Sequence, residues 1–248
     1  MFEPYRLIVV LFYLAITVLV LRHMKIRAYL DAAWGAARAV LQLLIMGAVL
    51  MAVFKVNSRI LDGLVLFGMV TAASVTAARR SKGTAELLVV FSSIFTASAA
   101  VIIPMATLGV FDRVSSFLIP MAGMIIGNAM NTTALSIERL HREVEMNRLE
   151  IEALLSLGID VEHTTEMVLK NSISAALIPI LNSMKTTGLV HIPGLMTGML
   201  MSGADPVFAA EMQAIIIYLI FIGAVLSSII ATRLQRKSYF TPYEALKL

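Results

Sequence analysis

RLHREVEMNRLEIEALLSLGIDVEHTTEMVLK, residues 139–170, is the one long charged run in an otherwise apolar chain. Leu140, Val144, Ile151 and Leu155 fall at helical spacing, while Arg142, Glu145, Arg148 and Glu152 take other positions. The pattern predicts a water-exposed amphipathic helix in which Arg142 pairs with Glu145 and Arg148 with Glu152. Gly158 is placed to end it in a left-handed turn, and Asp160 to cap the helix that follows. The segment reads as helix, sharp corner, helix. Two readings fit it: an elbow presented to a soluble partner, or a solvated connection whose charges pair among themselves.

Outside this run the composition excludes an ordinary soluble domain. Of 248 residues, 59% are hydrophobic and 15% charged, against about half and about a quarter in soluble proteins. The apolar runs lack the alternation of a membrane barrel, which leaves an all-α, polytopic membrane protein. At about 20 residues per crossing there is room for several spans and no sizeable soluble domain. Residues 1–248 therefore read as a single integral membrane domain, with 139–170 as its polar insert. Cysteine is absent, which removes disulfides and thiolate chemistry. There is no GxxxxGK[ST] phosphate loop, no GxSxG, and no HExxH spacing around His23, His141, His163 or His191. The chain is expected to be no enzyme, with no nucleotide site, cofactor or metal centre of its own, and its residues name no metal.

Seven crossings are expected, at about 5–21, 32–54, 63–78, 85–108, 115–137, 168–184 and 211–231. The first is too long for a signal-peptide core and lacks a small-residue cleavage site. Lys and Arg gather in the loops after the odd-numbered spans, at Arg22, Lys25, Arg27, Arg79, Arg80, Lys82 and through 139–170 to the tail. The other side holds Arg6, Lys55, Arg59, Arg113 and Lys185. In a cell (inner) membrane this asymmetry puts the N-terminus outside, and the insert and C-terminus in the cytoplasm.

Residues 185–208, KTTGLVHIPGLMTGMLMSGADPVF, are broken by Pro193, Gly194, Gly198, Gly203 and Pro206 into pieces too short to span. They form either an outer loop or a folded-back element lining a path. In the fifth span, Gly123 and Gly127 make a GxxxG pair suited to close helix approach. Asn128, Asn131 and Thr132 follow; they line a route for a polar solute or serve interhelical hydrogen bonding alone. Gln42 in the second span, Met196 and Thr197 in the broken segment, and Gln213 opening the seventh span complete the pathway candidates. Arg38 reads as snorkelling or pairing, and Glu86 as a complement to a helix N-terminus. Met196, Met199 and Met201 suit either a soft-cation path or plain packing.

EALLSLG, Glu152 to Gly158, resembles the EAA loop of ABC-transporter permeases, with Leu154 where that pattern has Ala. The chain as a whole resembles the FetB/YbbM-type permeases through RAVLQLLIMG, IPMAGMIIGNAMNTTALSIERL, ALIPILNSMKTTGLV, IPGLMTGMLMSGADPVFAAEMQ and YFTPYEAL. It departs from them at Met199 and at Glu211-Met212. That group is linked to iron export in bacteria and, in plant relatives, to aluminium tolerance. The resemblance implies a permease, paired as a homodimer, that exports a metal ion and works with a cytoplasmic ATP-binding-cassette ATPase carrying the ATP and Mg. It implies coupling to that ATPase through Glu152, Ala153, Leu155, Gly158 and Asp160. A secondary carrier or channel without an ATPase, and a membrane scaffold or sensor with a soluble regulator, are the alternatives.

Overall fold

The computed structural model describes residues 4–26, 28–56, 58–81, 85–109, 115–241, 243 and 245–247. Among these the chain is helical, with no β-strand beyond isolated bridges at Thr187–His191 and Phe240–Leu246. It divides into two units, Met1–Asn57 and Ser58–Leu248. Arg27, Lys82 and Arg113, used above to orient the chain, lie outside the described residues.

The first unit is a helical hairpin, α1 (Pro4–His23) against α2 (Ala28–Val56). The connection is tight, with Lys25 at φ 57° and the Ile26 N–H donating to Leu21 O at 3.0 Å. Gln42 is exposed on α2.

The second unit comprises α3 (Arg59–Arg80), α4 (Leu87–Thr107), α5 (Ser115–Met146), α6 (Arg148–Ser156), α7 (Val161–Thr164), α8 (Glu166–Thr186), α9 (Gly194–Met201) and α10 (Pro206–Arg236). By length and composition α2, α3, α4, α8 and α10 can each cross a bilayer, and Val9–His23 is a shorter apolar helix. α5, expected as the fifth crossing, falls outside that group; Asn128, Asn131, Thr132, Thr133 and Ser136 dilute its apolar stretch.

α5 is the centre of this unit and packs on α3, α4, α8 and α10. Its Met121, Ala122, Ile125, Ile126 and Ala129 are buried, and Ile125 and Ala129 meet Gly223 and Ser227 on a small-residue stretch of α10 that also holds Ala224 and Ala231. Small residues let two helix backbones approach where lipid supplies no hydrophobic drive between them. A Cβ on Gly223 would stand 3.1 Å from Ile125 Cγ2. The GxxxG pair behaves asymmetrically: a Cβ on Gly123 would meet Met69 Cε at 2.8 Å, whereas Gly127 faces open space. The buried hydroxyls of Ser74, Thr132, Ser172 and Thr232 each donate to a carbonyl four residues back in their own helix. That satisfies them without a partner helix.

A second apolar cluster lies beyond this core. Leu140, Val144, Ile151, Val168, Leu169 and Tyr239 are buried together, with Leu155, Phe240 and Leu246 packed against them. The end of α5, the elbow, the start of α8 and the C-terminal tail thus share one small core.

Candidate functional site

The elbow is built as the spacing of its apolar residues requires, with one break added. α5 runs from its apolar stretch into the charged segment as far as Met146, and Asn147, at φ −101° and ψ 17°, separates it from α6. The Asn147 amide donates to Glu143 O at 2.7 Å, competing with the helix ladder. α6 ends in a Schellman turn: Ile159 N–H donates to Leu154 O at 3.2 Å and Gly158 N–H to Leu155 O at 3.0 Å, with Gly158 at φ +81°. Asp160 then caps α7, accepting from the His163 N–H at 3.3 Å.

The same Asp160 carboxylate pairs with the His163 imidazole. That contact holds the Asp160 carboxyl below its ordinary range and raises His163 above its own. Lys170 likewise lowers Glu166. Arg148 pairs with Glu152 at 2.8 Å. Arg142 does not pair with Glu145 as expected; it reaches Glu138 at 2.7 Å, and Glu145 takes His141 at 3.3 Å. Of the expected coupling residues, Ala153, Gly158 and Asp160 are exposed, Glu152 is half-buried in its ion pair, and Leu155 packs inward on the second cluster. Met146, Leu149 and Leu157 stand out into solvent, 82%, 82% and 78% exposed. Large apolar side chains thus stand bare along the charged elbow.

The second site is a groove between α5 and α8. A cavity of about 170 Å³ is lined by Asn128, Asn131, Thr132, Leu135, Ala176, Pro179, Ile180 and Ser183. A neighbouring one of about 150 Å³ shares Asn128, Ile180 and Ser183 with it and adds Thr187, His191, Pro193, Gly194, Leu195 and Gln213. Four of the pathway candidates, Asn128, Asn131, Thr132 and Gln213, therefore line two adjoining cavities, the second of which also takes apolar walls from Met124, Ile217 and Ile220.

Three side-chain donors along that groove are engaged within their own helices. Asn128 donates to Met124 O at 2.9 Å, Thr132 to Asn128 O at 2.9 Å, and Thr187 to Ser183 O at 2.7 Å. Asn131 accepts from Arg80, at the end of α3, at 2.8 Å. Met196 and Thr197 do not line either cavity; Thr197 donates to Pro193 O at 3.2 Å within α9. Ser183, Thr187 and His191 join the groove without having been singled out from sequence. His191 is set by a tight turn in which Gly188, at φ +81°, donates to His191 O at 3.0 Å. The segment 185–208 is thus a turn, the eight-residue helix α9 with Leu195 and Met199 packed on the main core, and the cap Asp205 that starts α10. No group of three or more His, Cys, Asp or Glu able to hold a metal occurs among the described residues.

Residues 4–240 match the family model described as "Uncharacterised protein family (UPF0014)". The chain belongs to this family. It is 34% identical to the UPF0014 membrane protein YjkA of Bacillus subtilis, over 85% of this chain and 84% of that one. It is 33% identical to the "Probable iron export permease protein FetB" of Escherichia coli, over 91% and 87% of the two chains. It is 32% identical to the protein ALUMINUM SENSITIVE 3 of Arabidopsis thaliana, over 84% and 77%. No solved structure matches. Family membership and the apolar helices together make this a multi-pass membrane protein.

Proposed function

We propose that this chain is the membrane-spanning permease subunit of an ABC transporter, driven by a separate cytoplasmic ATPase that docks on the elbow. One observation carries the reading. α5 is a single 32-residue helix that bears Asn128, Asn131 and Thr132 in the groove and ends at Met146, one residue before α6 and the corner that expose Leu149 and Leu157. From Thr132 to Met146 a helix spans about 21 Å, so displacement of the elbow has the single break at Asn147 to cross before it reaches the groove. Closure of the ATPase on its nucleotide would supply that displacement, and the groove would alternate its access.

In this reading the termini lie as the cation asymmetry orders them, N-terminus outside and C-terminus in the cytoplasm of the cell membrane. Two permeases pair with two ATPases, and ATP and Mg bind only the ATPase. Metal export, of iron, is carried over from the name of the Escherichia coli relative. The test is reconstitution in lipid vesicles with and without the ATPase. ATP-dependent solute movement that needs both proteins supports the proposal, and movement by this chain alone contradicts it.

A further inference from the structure

The groove ends in a wall with a definite chemical preference. Gln213 forms part of it, is only 6% exposed, and its side-chain Nε2 donates to no described residue. Its amide makes no hydrogen bond to any described residue. The Nε2 of that amide is a donor, so an acceptor oxygen in the cavity would complete it.

The start of α9 stands in the same wall, through Pro193, Gly194 and Leu195. Pro193 provides no side-chain cap, and the helix ladder begins with Thr197 N–H donating to Pro193 O at 3.0 Å. The N–H groups of Gly194, Leu195 and Met196 therefore have no acceptor among the described residues. Gly194 has open space where a Cβ would stand, so a ligand can reach the backbone. His191 adds a ring nitrogen, and no carboxylate lines the cavity.

Free backbone donors at the positive end of a helix favour negative charge. A bare divalent cation would meet that same positive end in a wall that has no carboxylate to neutralise it. We propose that this end of the groove binds a small oxyanion, a carboxylate or a phosphate, on the uncapped start of α9 with Gln213 and His191. The site rests on the groove being the solute path. A metal taking this path crosses as an anionic complex with such an oxyanion, not as the hydrated ion.

The test is titration calorimetry on the full chain in lipid nanodiscs, with citrate, inorganic phosphate and cobalt(II) chloride as separate probes. Citrate or phosphate should bind and cobalt alone should not; which of the two binds identifies the source of the oxyanion. Gln213→Glu and Gly194→Asp each place a carboxylate at the site and should weaken binding by about tenfold or more. The second lies at an exposed position with open space and so preserves the fold. Absence of oxyanion binding, indifference to both variants, or tighter cobalt binding in Gln213→Glu would overturn the site. Transport that persists in both variants would also sink the site while leaving the permease reading standing. Oxyanion binding without transport in the presence of any ATPase would do the reverse.

Discussion

The ring of Tyr239 stacks on that of His141, with centroids 5.9 Å apart and planes inclined by 22°. The contact ties the C-terminal tail to the charged half of α5, inside the cluster that also holds the elbow. The Tyr239 hydroxyl is buried without a hydrogen-bond partner. Tyr239→Ala should therefore cost about 3 kcal/mol, whereas Tyr239→Phe should be neutral or slightly stabilising, since it deletes an unsatisfied group. Thermal unfolding in detergent of the two variants checks the order.

The approach of α10 to α5 depends on Gly223. A side chain larger than Ala must displace Ile125, whose Cγ2 would already be 3.1 Å from a Cβ there. Gly223→Leu is expected to destabilise by about 1–3 kcal/mol and to broaden the size-exclusion peak, while Gly127→Leu, which faces open space, should fold normally.

The groove can be probed chemically because the chain has no cysteine of its own. A single cysteine at Ser183 or Thr187 should react with a water-soluble thiol reagent much faster than one at Phe95, which lines an apolar hollow between α3 and α4. Equal rates at all three positions would mean that the groove is dry.

The corner at Asp160 should respond to pH from both sides. Asp160 is lowered from 3.8, so its contribution is present above that value and is lost as pH falls through the lowered pKa. His163 is raised from 6.5, so its contribution is complete below that value and is lost as pH rises through the raised pKa. Amide hydrogen exchange at His163 should be slowest between the two, and Asp160→Asn, which keeps a capping oxygen, should flatten the alkaline side.

Much of this was legible in the chain. Leu140, Val144 and Ile151 recur at helical spacing and are buried together; Gly158 and Asp160 carry turn and cap chemistry that needs no distant partner. The partner of Arg142 was not legible, because Glu138 and Glu145 both lie within one turn and His141 decides between them by taking Glu145. Asn147 breaks the helix although nothing in the apolar spacing marks it. His191 escaped notice because only the turn at Gly188 and the position of α9 bring it beside Gln213. The tail was unreadable for a similar reason: Tyr239 is buried with residues from Leu140 to Leu169, far earlier in the chain.

The central claim, that the elbow takes work from an ATPase and passes it along α5, is tested most directly at Gly158. Gly158→Val forces a β-branched residue into φ +81°, a strain of about 1–3 kcal/mol, while a Cβ there meets nothing within 4 Å. In vesicles holding the variant and its ATPase, the ratio of solute moved to ATP hydrolysed should fall about tenfold or more while the two proteins still co-purify. An unchanged ratio would contradict the account.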